Sequence, residues 1–271
     1  QALNVWAHRH DVPITTLNAL RRRLSALKGG RLAARLHGRD ARALVLSDVP
    51  GDDPRVVGSG LVAAPPAEAA LPPDLPESLA RLFVPRETPP SATLPFTVVG
   101  CLTDAIDAIE ARASTLGLRV MRWPSRLDGA AEEVGATLAK ALVATDVDVV
   151  VAGGETTVVL PEEAGVGGRC QHLALSAALA LEGHARVWLL AAGTDGLDGV
   201  GTDAGALVDG ASVERSRLME QEPAEALRRA DAGRCLAASG DLLNTGATGT
   251  NVGDLVIGLR GSALAALSGA A

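Results

Sequence analysis

Aromatic side chains are almost absent: Phe, Trp and Tyr make up 2% of 271 residues, and Tyr does not occur at all. The core must therefore come from Ala, Val and Leu, and stacking on aromatic rings is excluded as a main way of holding a nucleic acid. A cationic surplus is also missing. With 25 Lys and Arg against 32 Asp and Glu, the net charge is −7, which argues against a polyanionic duplex as partner. Small anions stay open, because a local Arg, Lys or backbone N–H binds them whatever the net charge. Cysteine is scarce. Cys101, Cys170 and Cys235 lie far apart and form no C-x-x-C pair, so neither a disulfide framework nor a zinc site is expected. Each reads as a small buried side chain, in keeping with a reducing cytoplasm. No apolar run reaches the ~18 residues of a membrane span. Nor is there a G-x-S-x-G elbow, an H-E-x-x-H pair or a G-x-G-x-x-G opening a strand–helix unit.

What is present is a long, apolar, glycine-rich chain: 47% hydrophobic residues and 30 glycines, enough for two globular domains. Apolar spacing predicts a helix over 17–27 capped by Thr15 or Thr16, a helix over 31–36 and a buried strand over 43–46. Eleven of the fifteen prolines fall between Pro50 and Pro95. That stretch reads as a connection with one short helix near 77–82, and as the domain boundary. Beyond it strand and helix alternate. Strands are expected at 97–100, 118–121, 147–151, 187–191 and 254–259. Helices are expected after a Thr103 cap and over 128–142, 169–181 and 223–229. The order is that of an α/β protein with a parallel sheet.

Five loops beside these strands carry Gly, Asp and Thr. Gly165-Val166-Gly167-Gly168-Arg169 precedes the apolar helix 169–181. It reads either as an anion site built on glycine amides, helix N–H groups and a guanidinium, or as a tight turn with a solvated Arg. Gly193-Thr194-Asp195-Gly196-Leu197-Asp198-Gly199 follows the strand 187–191. Its two carboxylates could hold Mg²⁺ or a substrate hydroxyl, or could simply make Asx-turns. The stretches 48–53, 153–157 and 245–251 are each more often structural when taken alone. Together the five read as one crevice rim. His172 reads as a satisfied surface or core histidine.

The strings G-G-E-T-T-V from Gly153, G-V-G-G-R-C-Q from Gly165, G-T-D-G-L-D-G from Gly193 and T-G-T-N-V from Thr248 occur in that order. With L-S-A-L-K-G-G from Leu24 and S-D-V-P-G-D-D-P from Ser47, they resemble the glycerate 2-kinase family, whose C-terminal module is called MOFRL and some of whose members are labelled hydroxypyruvate reductase. The resemblance runs over essentially the whole chain, departing at Leu61-Val62 and Ala247. It implies two α/β domains with the active site in the cleft between: an incomplete Rossmann-like N-terminal domain, with the proline-rich connection, over 1–95; βα units over 96–145; and the MOFRL-type domain over 146–271. The family also carries a longer N-terminal segment, so the encoded protein is expected to be longer than the chain that begins at Gln1.

The implied activity is ATP-dependent phosphorylation of the 2-hydroxyl of D-glycerate, with Mg²⁺. Expected partners are D-glycerate and ATP, with no nucleic acid and no membrane. A homodimer is the assembly considered, and the cytoplasm is the expected location. Under this resemblance Arg169, Asp195 and Lys28 are the catalytic candidates. Arg169 and Lys28 would neutralise the transferring phosphoryl or hold the glycerate carboxylate, and Asp195 would orient the attacking hydroxyl or a metal-bound water. Gly167, Gly168, Glu155, Thr194, Asn251 and Ser47 are candidates for nucleotide or substrate binding, and Asp48 and Asp198 for Mg²⁺. The competing expectations are a hydroxypyruvate reductase and a non-catalytic metabolite-binding relative. A nicotinamide enzyme would want the dinucleotide fingerprint that is missing here.

Overall fold

The computed structural model describes residues 2–10, 12–63, 70–83 and 93–263. Parts of the proline-rich connection, at 64–69 and 84–92, lie outside the described residues. The chain divides into two compact units, residues 1–100 and 101–271.

The first unit holds α1 (Ala2–Arg9), α2 (Ile14–Leu24), α3 (Arg31–Leu36), β1 (Ala43–Ser47), α4 (Glu77–Ala80) and β2 (Phe96–Cys101). Leu3, Trp6, Leu17, Leu20, Leu75, Leu79 and Phe83 form its main apolar cluster. Thr15 and Thr16 do not cap α2. They lie inside it, because Pro13 occupies the cap position and its fixed φ of −54° already leads into the helix. β1 pairs with β2 in a two-stranded sheet. β1 is not the buried strand expected: Leu44 and Leu46 are 70% and 44% exposed, so its apolar run covers two faces of which only one is packed.

The second unit carries a six-stranded sheet built from β3 (Val120–Arg122), β4 (Val149–Gly154), β5 (Val187–Gly193), β6 (Gly205–Asp209), β7 (Leu242–Leu243) and β8 (Asp254–Arg260). The helices are α5 (Leu102–Thr115), α6 (Ala131–Ala144), α7 (Arg169–Leu181), α8 (Ser212–Leu218), α9 (Pro223–Arg228) and α10 (Ala232–Ser239). Strand order is β3-β4-β8-β5-β6-β7. Among the described strands of this sheet, β3 and β4 pair in parallel. The last strand, β8, inserts between β4 and β5 and runs antiparallel to both, and β6 and β7 continue antiparallel. The expected parallel sheet is thus a mixed one. A strand–helix–strand alternation shows that β4 and β5 point the same way, but not that a later strand will separate them.

α7 is buried on nearly every face, and Leu173, Ala174, Leu175, Ala177 and Ala178 join Leu138, Leu142, Leu189, Val208 and Leu236 in the core. The fully buried residues of this core include no aromatic ring, as the composition required. Cys170 and Cys235 are buried as expected, whereas Cys101 is only half-buried. It occupies the cap position of α5, where its N–H donates to Asp104 Oδ2 at 2.9 Å, and Thr103, expected to be the cap, is the second residue of the helix. No helix among the described residues is long and apolar enough to cross a membrane.

Candidate active site

β4 and β5 end at the same edge of the sheet, where β8 begins: Gly154 and Gly193 both pair with Asp254. Carboxyl ends of parallel strands are where open α/β sheets place their ligands, and four glycine-containing segments of the second unit meet there.

The β5–β6 connection is stitched to the segment 245–253. The Thr194 hydroxyl donates to Gly253 O at 2.7 Å and accepts Val252 N–H at 2.9 Å. Thr248 N–H donates to Asp195 O at 3.0 Å, and the Thr248 hydroxyl donates to Thr194 O at 2.7 Å. Gly196, with φ of 82°, lies so close to Gly246 that a β-carbon would come within 2.1 Å of its carbonyl oxygen. The same connection grips the start of α7: Asp198 accepts Cys170 N–H at 3.0 Å and Gln171 N–H at 2.7 Å. Gly168 ahead of α7 has no capping side chain, and Asp198 supplies the cap, 28 residues beyond the Cys170 amide it accepts.

Arg169, the first residue of α7, donates to both oxygens of Asp254, Nε at 2.5 Å and Nη2 at 3.1 Å. Its Nη1 donates to Glu155 Oε1 at 2.7 Å. The Asp254 hydrogen bonds, and then the two carboxylates' charges, raise the guanidinium further above its ordinary value, against the opposing effect of burial. Burial pushes the Asp198 carboxyl up to about 6, although two amide donors pull the other way. The Cys170 thiol is held well above its ordinary value by burial and by the carboxylates of Asp254 and Asp198. A cavity of about 610 Å³ opens here, with Gly167, Gly168, Arg169, His172, Asp195 and Asp198 in its walls and Val158, Leu160, Leu197 and Val200 on the apolar side.

Of the residues singled out from sequence, Gly167, Gly168, Arg169, Asp195 and Asp198 line this cavity. Glu155 reaches it only through Arg169. Thr194 holds the loop together, and Asn251 accepts Gly253 N–H at 2.9 Å. Lys28, Ser47 and Asp48 belong to the first unit. There Lys28 Nζ donates to Ser59 Oγ at 3.2 Å, Ser47 is buried with its hydroxyl accepting Val49 N–H, and Asp48 is exposed. Two expectations change. Gly153 and Gly154 continue β4 and are not loop. The helix amides of Cys170 and Gln171, expected to face an anion, are already taken by Asp198. That carboxylate, 4% exposed and with both oxygens engaged, is a helix cap and is not open to serve as a Mg²⁺ ligand. Among the described residues no group of three or more His, Cys, Asp or Glu could hold a metal.

Sequence reasoning missed Asp254, which it treated only as the start of a strand, and set His172 aside. His172 is 6% exposed and faces the cavity, and burial lowers its pKa from the ordinary value, which favours the neutral imidazole. Its i+3 spacing from Arg169 on a helix was the signal available.

Residues 148–254 match the MOFRL family, and residues 1–91 match a domain of unknown function, DUF4147. The D-glycerate 2-kinase of Thermotoga maritima is 38% identical over 91% of this chain and 63% of its own length. A putative hydroxypyruvate reductase of Agrobacterium vitis is 35% identical over 94% of this chain and 71% of its own length. The crystal structure of the glycerate kinase from Thermotoga maritima superposes with a TM-score of 0.80 at 33% identity, over 96% of this chain and 66% of that one. The chain spans 63% of the length of the first curated relatives it matches.

Proposed function

The chain belongs to the glycerate 2-kinase family, and on that premise we propose that it carries out, or forms the larger part of a protein that carries out, ATP-dependent phosphorylation of the 2-hydroxyl of D-glycerate to 2-phosphoglycerate. The observation that carries this reading is the fork of Arg169, fixed beside the Gly167–Gly168 turn and facing the same cavity as Asp195. Phosphoryl transfer asks a protein mainly for positioning and for charge stabilisation. Arg169 offers the cavity those guanidinium N–H groups that Asp254 and Glu155 leave over. The amides of Gly167, Gly168 and Arg169 itself take the place of the deeper helix amides that Asp198 occupies.

In the reaction the glycerate 2-hydroxyl oxygen bonds to the γ-phosphorus, the bond from that phosphorus to the β,γ-bridging oxygen breaks, and ADP leaves. The hydroxyl proton passes to Asp195, whose Oδ1 is steadied by Leu197 N–H at 3.0 Å. Arg169 faces the negative charge of the moving phosphoryl group. Mg²⁺ would supply neutralisation of the nucleotide phosphates. It takes one or two carboxylates, with waters and phosphate oxygens completing the shell. Asp48, in the first unit, stays a candidate for such an ion on the family resemblance alone. Lys28 is the corresponding candidate cation of that unit. His172 adds a polar atom to a wall that is otherwise aliphatic.

The test is ³¹P NMR of the protein with D-glycerate and MgATP, alongside NADH oxidation with hydroxypyruvate. A 2-phosphate ester signal that requires both substrates supports the kinase reading. NADH oxidation without ATP consumption supports instead the activity named for the Agrobacterium vitis relative.

A further inference from the structure

We propose that Asp254 is the positioning residue for Arg169: it holds the guanidinium plane at the mouth of the cavity, so that the charge of Arg169 acts in one direction. The inference rests on the kinase reading only for its kinetic readout.

The argument begins with where Arg169 sits. An arginine as the first residue of a helix places a cation at the positive end of the helix dipole, on a side chain with several free torsions. Left alone, it would extend into water. Asp254 opposes both tendencies. It contributes a carboxylate 10% exposed against a guanidinium 36% exposed. It grips Nε and Nη2 with one oxygen each, which fixes the plane of the fork as well as its position.

The backbone around Asp254 is arranged for this. It opens the central strand of the sheet, with Gly154 of β4 and Gly193 of β5 as its lateral partners. A β-carbon on Gly193 would lie 3.7 Å from Asp254 Oδ1 and 3.0 Å from Asp195 Oδ1. The missing side chain therefore leaves one small space shared by the carboxylate that orients Arg169 and the carboxylate assigned to the hydroxyl. A larger residue there would collide with the Leu197 carbonyl, 2.6 Å from that β-carbon, and press on Asp195, while only touching Asp254. Glu155, more than half exposed, holds only Nη1, so the rigid contact is the one to Asp254.

The test compares wild type with D254N, R169A and the double variant D254N/R169A in the active enzyme. Melting temperature, and kcat and KM for D-glycerate and MgATP, are measured for each. Asparagine keeps the shape of Asp254 but offers one acceptor in place of two and carries no charge. D254N is expected to lower kcat by more than about fivefold with a smaller change in either KM, and the double variant to be no slower than R169A alone. A smaller loss in D254N, or losses that multiply in the double variant, overturns the proposal, because a merely structural ion pair would lower the melting temperature without coupling the two residues in kcat. If D254N does not fold, R169K decides. Lysine meets Asp254 at a single point and cannot present a fixed fork, so R169K should match R169A within about threefold, and near-wild-type turnover refutes the role. If wild type itself transfers no phosphoryl group to glycerate, the kinase reading fails by itself. The proposal is then decided by ATP binding in titration calorimetry: D254N and R169A must each weaken it by more than about fivefold, without adding in the double variant.

Discussion

Asp198 Oδ2 accepts the amide N–H of Gln171 at 2.7 Å, so the connection after β5 caps the helix whose first residue is Arg169. One carboxylate thereby ties the segment bearing Asp195 to the segment bearing Arg169. Loop spacing and helix position are joined by a single buried group, and its chemistry leads to the first prediction.

Burial raises the Asp198 carboxyl from 3.8 to about 6. The folded state therefore binds this proton more tightly than the unfolded state does. The corresponding stability is present below about pH 4 and is lost as pH rises through about 6, on the order of 2–3 kcal/mol. Asp148 acts in the opposite sense: the Ser262 hydroxyl and the Arg119 amide lower its pKa, so its contribution disappears toward acid. Both proteins keep Asp148 when wild type is compared with Asp198→Asn, and its effect cancels. Wild type should lose stability relative to the variant between pH 4.5 and 7.5, measured by thermal melts at both pH values. A constant difference would show that Asp198 does not titrate in this range.

Arg169→Ala should lower kcat/KM by roughly a hundredfold, about 2.7 kcal/mol of transition-state stabilisation. It should also cost stability, because the Asp254 carboxylate is left nearly buried without its partner. Steady-state kinetics and a urea titration measure the two effects separately. Unchanged kinetics with reduced stability would make the arginine purely structural.

Asp195→Asn should keep the fold and remove most turnover. The amide can still accept the Leu197 N–H, so the turn survives, but it cannot take the hydroxyl proton. Circular dichroism and melting report on the first half of this statement, and product formation on the second. Wild-type turnover in the variant would mean that the proton goes elsewhere.

Much of this arrangement is local and could be read from the sequence. α7 spans Arg169–Leu181 as expected, because a glycine turn precedes it and Glu182-Gly183 ends its apolar run. α3 is similarly bounded, with Gly30 at φ 79° ahead of Arg31. The rim was legible for the four segments of the second unit, since three adjoin a recognisable strand and Gly165–Arg169 opens a recognisable helix. Strand order was not legible. The placement of β8 between β4 and β5 depends on contacts across some hundred residues, and Asp254 gains its meaning only from that placement. The cap from Asp198 to α7 was hidden for the same reason: local pattern offers a cap from the residues just ahead of a helix, and Gly168 has no side chain to give. His172 could have been found, by asking which residues share the helix face of Arg169.

Thr194 gives the last prediction, and it separates a binding residue from a stitching one. Its hydroxyl accepts Val252 N–H and donates to Gly253 O, which leaves no proton to offer a ligand. Thr194→Val preserves shape and removes both bonds, so the half-buried Val252 N–H loses its partner while Gly253 O keeps only the Thr194 backbone N–H; the expected cost is about 1–3 kcal/mol. Thr194→Ser keeps the oxygen and should stay close to wild type. The loosened segment also includes Thr248, whose amide holds the Asp195 carbonyl, so turnover should fall in the valine variant together with stability. Hydrogen exchange at the Val252 amide reads the stitch directly, and it should accelerate by about tenfold or more in Thr194→Val. A valine variant with wild-type exchange and melting but weaker substrate binding would instead give Thr194 the ligand-binding role expected from its motif.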